Sequence, residues 1–158
     1  MFGMNNYEIR LANMSDKKEI LSIWKHKENR EYLSIPFNNE IDKCILGQRM
    51  YCVMFNGVII GFGAYQIMKR TPEIRIKHLC VDKNYRRNHI ATKIITRICF
   101  DLVDVNLPIT ATCRDGAENN KFYDRYKLKD YEITHTKTLL CRKYTLDKDK
   151  IIKEGIFI

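Results

Sequence analysis

A short stretch near the middle of the chain marks a change from strand to helix, and it reads Val81-Asp82-Lys83-Asn84-Tyr85-Arg86-Arg87-Asn88-His89-Ile90-Ala91. The apolar run that leads into it, residues 74–81, has the length and composition of a buried strand. Beyond it, apolar residues recur on one helical face at Ile90, Ile94, Ile95, Ile98, Cys99, Leu102 and Val103. The sequence therefore predicts a strand, a tight basic turn and a helix over residues 89–104.

The start of this helix suits a phosphate-bearing ligand. Asn88 is the predicted N-cap, so the backbone N–H groups that follow it have no intrahelical acceptor. Arg86 and Arg87 place two guanidinium groups beside the positive end of the helix dipole. The alternative is a basic surface turn that caps an ordinary helix, and the surrounding order of elements must decide between them.

Length and composition indicate one folded domain over residues 1–158, with a charged and then apolar tail at about residues 146–158. Hydrophobic residues make up 45% of the chain, which is enough to build a core. No apolar run is long enough to span a bilayer, and the N-terminus lacks the features of a signal peptide. We therefore expect a cytoplasmic protein without a membrane partner.

The patterns of cysteine and charge limit the kinds of metal, ligand and partner that we expect. The six cysteines form no Cys-x-x-Cys pair and the four histidines are scattered, which favours free buried thiols and no metal site. The formal net charge is +9, and it is uneven. Residues 1–50 carry 8 Lys and Arg against 7 Asp and Glu, whereas residues 51–158 carry 20 against 12. This excess indicates an anionic ligand or partner, or simply a solvated basic surface.

Patterns elsewhere in the chain predict a mixed sheet. Asn56-Gly57 between two apolar runs is a strong signal for a hairpin with a type I′ turn, and a basic turn at residues 69–72 leads to a third strand. Ser15 is the predicted N-cap of the first helix, and a second helical region at residues 28–49 is interrupted near Pro36. The predicted strands are residues 7–12, 51–55, 58–65, 73–81, 109–113, 131–134 and 139–144, with a further short helix at residues 117–126.

The order of these elements is β, α, α, β, β, β, α, β, α, β, β. The early strands form an antiparallel group, and the helix at residues 89–104 then crosses to a strand that should run parallel to residues 73–81. We therefore predict an α/β (α+β) fold with a mixed, mainly antiparallel sheet of six to seven strands flanked by helices.

This order, with a basic strand–turn–helix at its centre, resembles the GNAT superfamily of acetyl-coenzyme A-dependent N-acetyltransferases. The family signature Gln/Arg-x-x-Gly-x-Gly/Ala is similar to Arg86-Arg87-Asn88-His89-Ile90-Ala91. The preceding residues 79–85 resemble the end of the family's strand, and residues 120–126 resemble its Phe-Tyr segment. His89 stands where the first motif glycine is usual, and Lys127-Leu128 stands where Gly-Phe is usual. The resemblance covers the chain from about Tyr7 to Tyr144.

The resemblance implies a splayed central strand pair and acetyl-coenzyme A as the cosubstrate. The pyrophosphate would lie on the N–H groups from Arg87 to Thr92, and the pantetheine would follow the strand end, with main-chain partners at Leu79 and Val81. The full set of cofactor-binding residues implied in this way is Leu79, Cys80, Val81, Arg86, Arg87, Asn88, His89, Ile90, Ala91, Thr92 and Asn120.

The resemblance also implies candidates for proton transfer. Tyr123 would protonate the departing thiolate, since a phenol with a pKa of about 10 is protonated at neutral pH. The alternative for Tyr123 is a core aromatic. The general base would be His78, Glu73 or an ordered water. Period-2 alternation puts His78 and Glu73 on opposite faces of their strand unless a bulge intervenes. The alternatives are a core or edge histidine bonded to a backbone carbonyl and an exposed glutamate near a turn.

The sequence leaves the acceptor amine open, as a small molecule or a peptide, because residues 24–37 carry no consistent charge sign. Two other functions remain as alternatives: a nucleic-acid-binding or nucleic-acid-modifying module, which we do not favour, and a catalytically silent relative that binds coenzyme A. Strands near the C-terminal end could pair between subunits, so a homodimer is possible.

Overall fold

The computed structural model describes residues 7–25, 37–86, 88–116, 119–135 and 139–155. The strands are β1 (Tyr7–Leu11), β2 (Met50–Phe55), β3 (Val58–Met68), β4 (Glu73–Val81), β5 (Ile109–Arg114), β6 (Glu132–His135) and β7 (Leu140–Leu146). The α-helices are α1 (Lys17–Trp24), α2 (Phe37–Leu46), α3 (Ile90–Asp101), α4 (Asn119–Tyr126) and α5 (Lys148–Gly155). Short 3₁₀ turns precede α1 and follow β4, at Met14–Asp16 and Lys83–Tyr85.

The strands form one seven-stranded sheet in the order β1-β2-β3-β4-β5-β7-β6. Every neighbouring pair is antiparallel except β4 and β5, which run parallel. The parallel pairing extends only from Ile74 opposite Ile109 to Ile76 opposite Ala111. Both strands continue beyond that point without pairing to each other, so the sheet splays at its centre. The predicted fold class and the splayed strand pair are confirmed.

Helices cover both faces of the sheet and enclose two hydrophobic clusters. On one face, Ile20 of α1 and Ile41 of α2 pack with Met50 and Phe62. On the other face, three isoleucines of α3 pack with the middle of the sheet. They are Ile94, Ile95 and Ile98, each fully buried. The helical repeat of apolar residues that predicted α3 therefore corresponds to the face of the helix that packs on the sheet.

Two glycines of β3 allow α3 to lie unusually close to the sheet. A Cβ atom at Gly61 would be 2.9 Å from Cγ2 of Ile90, and one at Gly63 would be 2.5 Å from Cγ2 of Ile94. Any side chain at these positions would push the helix away. The close approach seats the first turn of α3 beside the open end of β4.

A β-bulge changes which residues of β4 face each side. Ala64 pairs with His78 and Tyr65 pairs with Ile76, so Lys77 is the extra residue. Ile74 and Ile76 pack toward α3 before the bulge, and Leu79 and Val81 do so after it. Glu73 and His78 therefore share the opposite face, which alternation without a bulge would forbid.

The local predictions are confirmed at the hairpin and wrong at two helix starts. Asn56 and Gly57 both have positive φ, of 50° and 81°, as a type I′ turn requires. Ser15 does not cap the first helix. Asn13 caps the 3₁₀ turn before α1 instead, in a capping box with Asp16. The other wrong prediction is the N-cap of α3.

The C-terminal residues expected to form a tail belong largely to the fold. The structure places a helix, α5, over most of them, and it packs so closely on α3 that a Cβ atom at Gly155 would be 2.2 Å from Thr96. Residues 26–36, which include the predicted interruption at Pro36, and residues 156–158 lie outside the described part of the chain. Within the described residues, no helix has both the length and the hydropathy needed to cross a membrane.

Candidate active site

The turn after β4 is held by hydrogen bonds to its own residues and to β3. The N–H of Asp82 donates to the carbonyl of Ile60 at 2.8 Å. The carboxylate of Asp82 accepts from the N–H of Asn84 at 2.9 Å, and its carbonyl accepts from the N–H of Tyr85 at 2.9 Å. The path of the chain from the strand into the helix is therefore well defined.

A row of aromatic side chains packs against this turn, and it was not predicted from the sequence. The ring of Tyr85 lies 5.9 Å from that of Phe55, which lies 4.9 Å from that of Tyr7. These residues come from the turn, from β2 and from β1. The aromatic at position 85 was visible in the motif, but its two partners are distant in sequence. The row ties the turn to the edge of the sheet.

Asn88 does not cap α3, so that prediction is wrong. Its side-chain amide points back and donates to the carbonyls of Tyr85 at 3.1 Å and Arg86 at 3.4 Å. The N-cap is His89, which has no side-chain capping bond. Arg86 Nε donates to the carbonyl of Val81 at 3.4 Å. Arg87 lies outside the described residues.

His89 adopts the left-handed backbone conformation, with φ of 60° and ψ of 25°. Glycine adopts this conformation without a Cβ penalty, whereas other L-residues pay for it. The signature glycine expected at this position is therefore explained by backbone geometry as well as by space for a ligand. His89 adopts this conformation although it is not a glycine.

The first turn of α3 leaves backbone donors available. The N–H of Lys93 is the first to bond within the helix, to the carbonyl of His89 at 2.9 Å. The N–H groups of Ile90, Ala91 and Thr92 precede it and have no intrahelical acceptor. They carry the positive end of the helix dipole. This arrangement can bind an anion such as a pyrophosphate.

The strand end that leads to this turn exposes its backbone rather than its side chains. Leu79 and Val81 pack against the α3 cluster. The Cys80 side chain is buried on the opposite face, and burial raises its thiol pKa to about 12. Beyond Ile76 the edge of β4 that faces β5 pairs with no strand of the described residues. The predicted contribution of residues 79–81 is therefore restricted to their main chain.

Tyr123 lies in the core beside the diverging part of β5. Its ring is 5.3 Å from that of Phe122 and 5.4 Å from that of Tyr144, and Cys113 is a close neighbour of its phenol. Burial raises the phenol pKa well above its ordinary value, so the group is protonated at neutral pH. Tyr123 is thus a core aromatic whose buried phenol keeps its proton at neutral pH.

Asn120 is engaged within its own loop. Its side-chain oxygen accepts from the N–H of Gly116 at 2.8 Å, and its nitrogen donates to Cys113 Sγ at 2.9 Å and to the carbonyl of Arg114 at 3.2 Å. Both ends of the amide are used to shape the connection from β5 to α4. Asn120 therefore positions the elements around the cleft.

His78 pairs with a carboxylate that sequence reasoning did not identify. Its Nε2 lies 2.9 Å from Oε2 of Glu40 on α2. Burial lowers the pKa of His78 and the nearby carboxylate opposes that change, with burial dominating. The imidazole is 2% exposed, whereas the Glu40 side chain is 32% exposed and reaches solvent. No periodic pattern could have linked Glu40 to His78.

Glu73 is buried, not an exposed residue near a turn. Its carboxylate lies 2.6 Å from Nη2 of Arg75 and 3.2 Å from Nζ of Lys143. Burial opposes ionisation, but the hydroxyl of Thr110 close by and the hydrogen bonds from Arg75 and Lys143 outweigh it and lower the pKa of Glu73. The described residues include no cluster of histidine, cysteine and carboxylate side chains that could hold a metal ion.

Solved structures share this fold at low sequence identity. An acetyltransferase of the GNAT family from Bacillus cereus superposes with a TM-score of 0.71 at 14% identity, over 92% of this chain and 98% of its own. YncA, a putative acetyltransferase from Salmonella typhimurium solved with acetyl-CoA, gives 0.70 at 15% identity, over 92% and 96%.

A longer protein shares the fold over part of its length. N-acetylglutamate synthase from Neisseria gonorrhoeae, solved with coenzyme A and N-acetyl-glutamate, gives a TM-score of 0.70 at 11% identity. The match covers 89% of this chain and only 35% of the synthase. A search among curated proteins finds no matching sequence.

The family comparison agrees with the site geometry. The model of the acetyltransferase (GNAT) family matches residues 12–127, a range that contains the splay of β4 and β5, the turn, the start of α3 and Tyr123. That range is well over half of the chain. This chain therefore belongs to the acetyltransferase (GNAT) family.

Proposed function

We propose that this protein is an N-acetyltransferase that moves an acetyl group from acetyl-coenzyme A to a primary amine. The amine attacks directly while both substrates are bound. One observation carries the proposal: the available N–H groups at the start of α3 lie beside the point where β4 and β5 separate. A helix start binds phosphate, and a separated strand edge can bind the amides of pantetheine.

The residues present suit coenzyme A. The N–H groups of Ile90, Ala91 and Thr92 would hold the pyrophosphate, with the guanidinium of Arg86 nearby. The unpaired edge of β4 at Leu79 and Val81 would bond the pantetheine. Similar folds have been solved with coenzyme A or acetyl-CoA, including YncA and the PaiA N-acetyltransferase of Thermoplasma acidophilum. When bound, the cosubstrate would supply an activated thioester.

Tyr123 is our proposed general acid. Its raised pKa keeps the phenol protonated across the physiological range. A thiolate that departs in the cleft between β4 and β5 would gain a proton from it.

For the base we favour His78 over Glu73. The lowered pKa of His78 keeps its imidazole neutral at pH 7, as a proton acceptor must be. Glu73 is held ionised by the hydrogen bonds from Arg75 and Lys143, so accepting a proton would weaken those interactions. Glu40 links His78 to solvent and can attract the ammonium form of the acceptor.

The proposal is tested by thermal shift with acetyl-coenzyme A, coenzyme A and an oligonucleotide side by side, followed by thiol release over a panel of amines. We expect stabilisation by both forms of the coenzyme at micromolar concentration, and thiol release that depends on the amine. Stabilisation by the oligonucleotide alone would favour a nucleic-acid-binding module. Coenzyme binding without thiol release would favour a silent relative.

The choice of base is tested by the pH dependence of kcat/KM in His78→Gln and Glu73→Gln. For the native protein we expect kcat/KM to fall as the pH drops through an apparent pKa below the ordinary histidine value of about 6.5. His78→Gln should lose this limb along with most activity. Glu73→Gln should keep the limb and lower stability. A limb that persists in His78→Gln would assign the role to another group.

A further inference from the structure

We infer that the acceptor carries a carboxylate in addition to its amine, and that Arg75 and Lys143 bind this carboxylate. The inference rests on the proposed function and specifies its substrate class.

The acceptor must approach from the face of the sheet opposite α3. α3 covers the middle of one face, and α4 packs on β5 and β7 on that same side, as the shared cluster of Tyr123 with the α3 isoleucines shows. On the other face, α1 packs on β3 and β4. Thr112 and Arg114 at the end of β5 are exposed there. In the part of the chain that the structure describes, an open surface therefore borders the splay on the side of His78 and Glu40.

The strand register places both cations on this open face. Arg75 pairs with Thr110, and Thr112 pairs with Lys143, so alternation along β5 puts all four on one side. The ion pairs of Glu73 with Arg75 and with Lys143 confirm the placement. His78 and Glu73 share this face because of the bulge at Lys77. Arg75 thus lies on the same strand as the proposed base, and Lys143 lies on β7, on the other side of β5.

The charges in this cluster do not balance. One carboxylate, Glu73, faces two cations whose side chains are only 30% and 26% exposed. A partly desolvated charge is costly in free energy unless an opposite charge compensates it. Nε of Arg75 is also buried with no hydrogen-bond partner in the described part of the chain. A surplus positive charge therefore faces the acceptor surface.

The other charged groups on this face do not remove the surplus. Glu132 lies opposite Lys143 in the register and is exposed, but among the described residues no ion pair within 4 Å joins them. A solvated carboxylate at that distance contributes little. Arg114 adds positive charge, and Lys77 adds more near His78. Among the described residues of this face, Glu40 is the negative group that remains, and it lies at His78.

This arrangement selects a molecule with both charges. The ammonium would lie toward Glu40 and His78, and the carboxylate toward Arg75 and Lys143. A neutral amine would leave the cations uncompensated, and a diamine would be repelled by them. Amino acids and peptides with a free carboxylate share the required chemistry.

The test uses acceptors in matched pairs, each as the free acid and as its amide. The panel contains α-amino acids, ω-amino acids of increasing length and short peptides, with diamines of the same lengths. We expect kcat/KM to favour the acids by roughly tenfold or more, in either the amino-acid or the peptide arm. Equal turnover of acids and amides, or a preference for diamines, would overturn this inference alone. No turnover across the whole panel would overturn the proposed function as well.

Variants of Lys143 separate binding from folding. Lys143→Gln should bring the ratio of acid to amide close to one, whereas Lys143→Arg should retain the preference. Lys129→Gln removes an exposed lysine after α4 and serves as the matched control, with no change in the ratio. A preference for acids that survives in a folded Lys143→Gln protein would contradict the role of Lys143. Native-like thermal unfolding of each variant establishes that it is folded.

Discussion

At the scale of single residues, His89 combines two features that oppose each other. It begins the helix whose N–H groups we propose to bind pyrophosphate, yet it holds a left-handed conformation that favours glycine. This conformation costs an L-residue other than glycine about 1 kcal/mol in free energy. The turn before it is held by the hydrogen bonds of Asp82 and by the packing of Tyr85. These contacts set the path of the chain, and the histidine is tolerated for that reason.

Replacing His89 with glycine should remove this strain. We expect His89→Gly to raise the free energy of unfolding by about 1 kcal/mol and to retain or strengthen coenzyme A binding. His89→Ala keeps the Cβ atom and should show no gain in stability. Denaturant unfolding and calorimetric titration with coenzyme A would measure both effects. Weaker coenzyme A binding in both His89→Gly and His89→Ala would mean that the imidazole itself contacts the phosphate.

Tyr123 should affect chemistry more than cosubstrate binding. Tyr123→Phe removes only the hydroxyl from a ring packed against Phe122 and Tyr144. We expect turnover to fall by roughly a hundredfold or more, with little change in the Kd of coenzyme A. Phe122→Leu is a comparison that alters the same packing without removing a proton donor. Unchanged turnover in Tyr123→Phe would remove the assignment.

At the scale of elements, the start of α1 depends on a network that only partly follows from local sequence. Asp16 accepts from the N–H of Asn13 at 2.8 Å, within the capping box. It also accepts from both Nη atoms of Arg10, at 2.7 and 2.9 Å. The local capping bond could have been found from the Asn-x-x-Asp spacing. The bond to Arg10 requires β1 to lie beside the turn.

Breaking this network should destabilise the protein in a pH-dependent way. The Arg10 guanidinium holds the pKa of Asp16 below its ordinary value, so the ionised form stabilises the fold above about pH 4. We expect Asp16→Asn to lower the free energy of unfolding by about 2 kcal/mol at pH 7.

The free energy of unfolding of Asp16→Asn should approach that of the native protein as the pH falls through the pKa of folded Asp16. Asp149→Asn, at an exposed position in the first turn of α5, is the control and should cost only a few tenths of a kcal/mol. Denaturant titrations at several pH values would measure both. A pH-independent loss would mean that packing, not charge, is responsible.

At the scale of the whole molecule, the site depends on how closely α3 lies on the sheet. Gly63→Ala would place a Cβ atom 2.5 Å from Ile94, so the helix must move or the side chain must shift. We expect a loss of about 1–3 kcal/mol in the free energy of unfolding. A double-mutant cycle with Ile94→Ala should show that the two changes are less than additive. Additive losses would show that the contact does not limit the approach.

The local predictions succeeded where a few neighbouring residues determine the structure. Asn56-Gly57 specified a turn with two positive φ angles, and the repeated isoleucines specified the face of α3. The limits of β4 were predicted to the residue, because turn residues bound it on both sides. The N-cap of α3 was misplaced by one residue, since nothing local indicates that a histidine would adopt the left-handed conformation there.

The order of elements, the strand–turn–helix and the family could be read from the amino-acid sequence, because they depend on periodicity and on short motifs. Which charged groups meet could be seen only in the folded chain. Lys143 reaches Glu73 across 70 residues of chain, and Glu40 reaches His78 across 38. The pair of Glu73 and Lys143 depends on strand register, and the face of His78 depends also on the bulge at Lys77. A shift of one residue along a strand would turn its side chains to the other face.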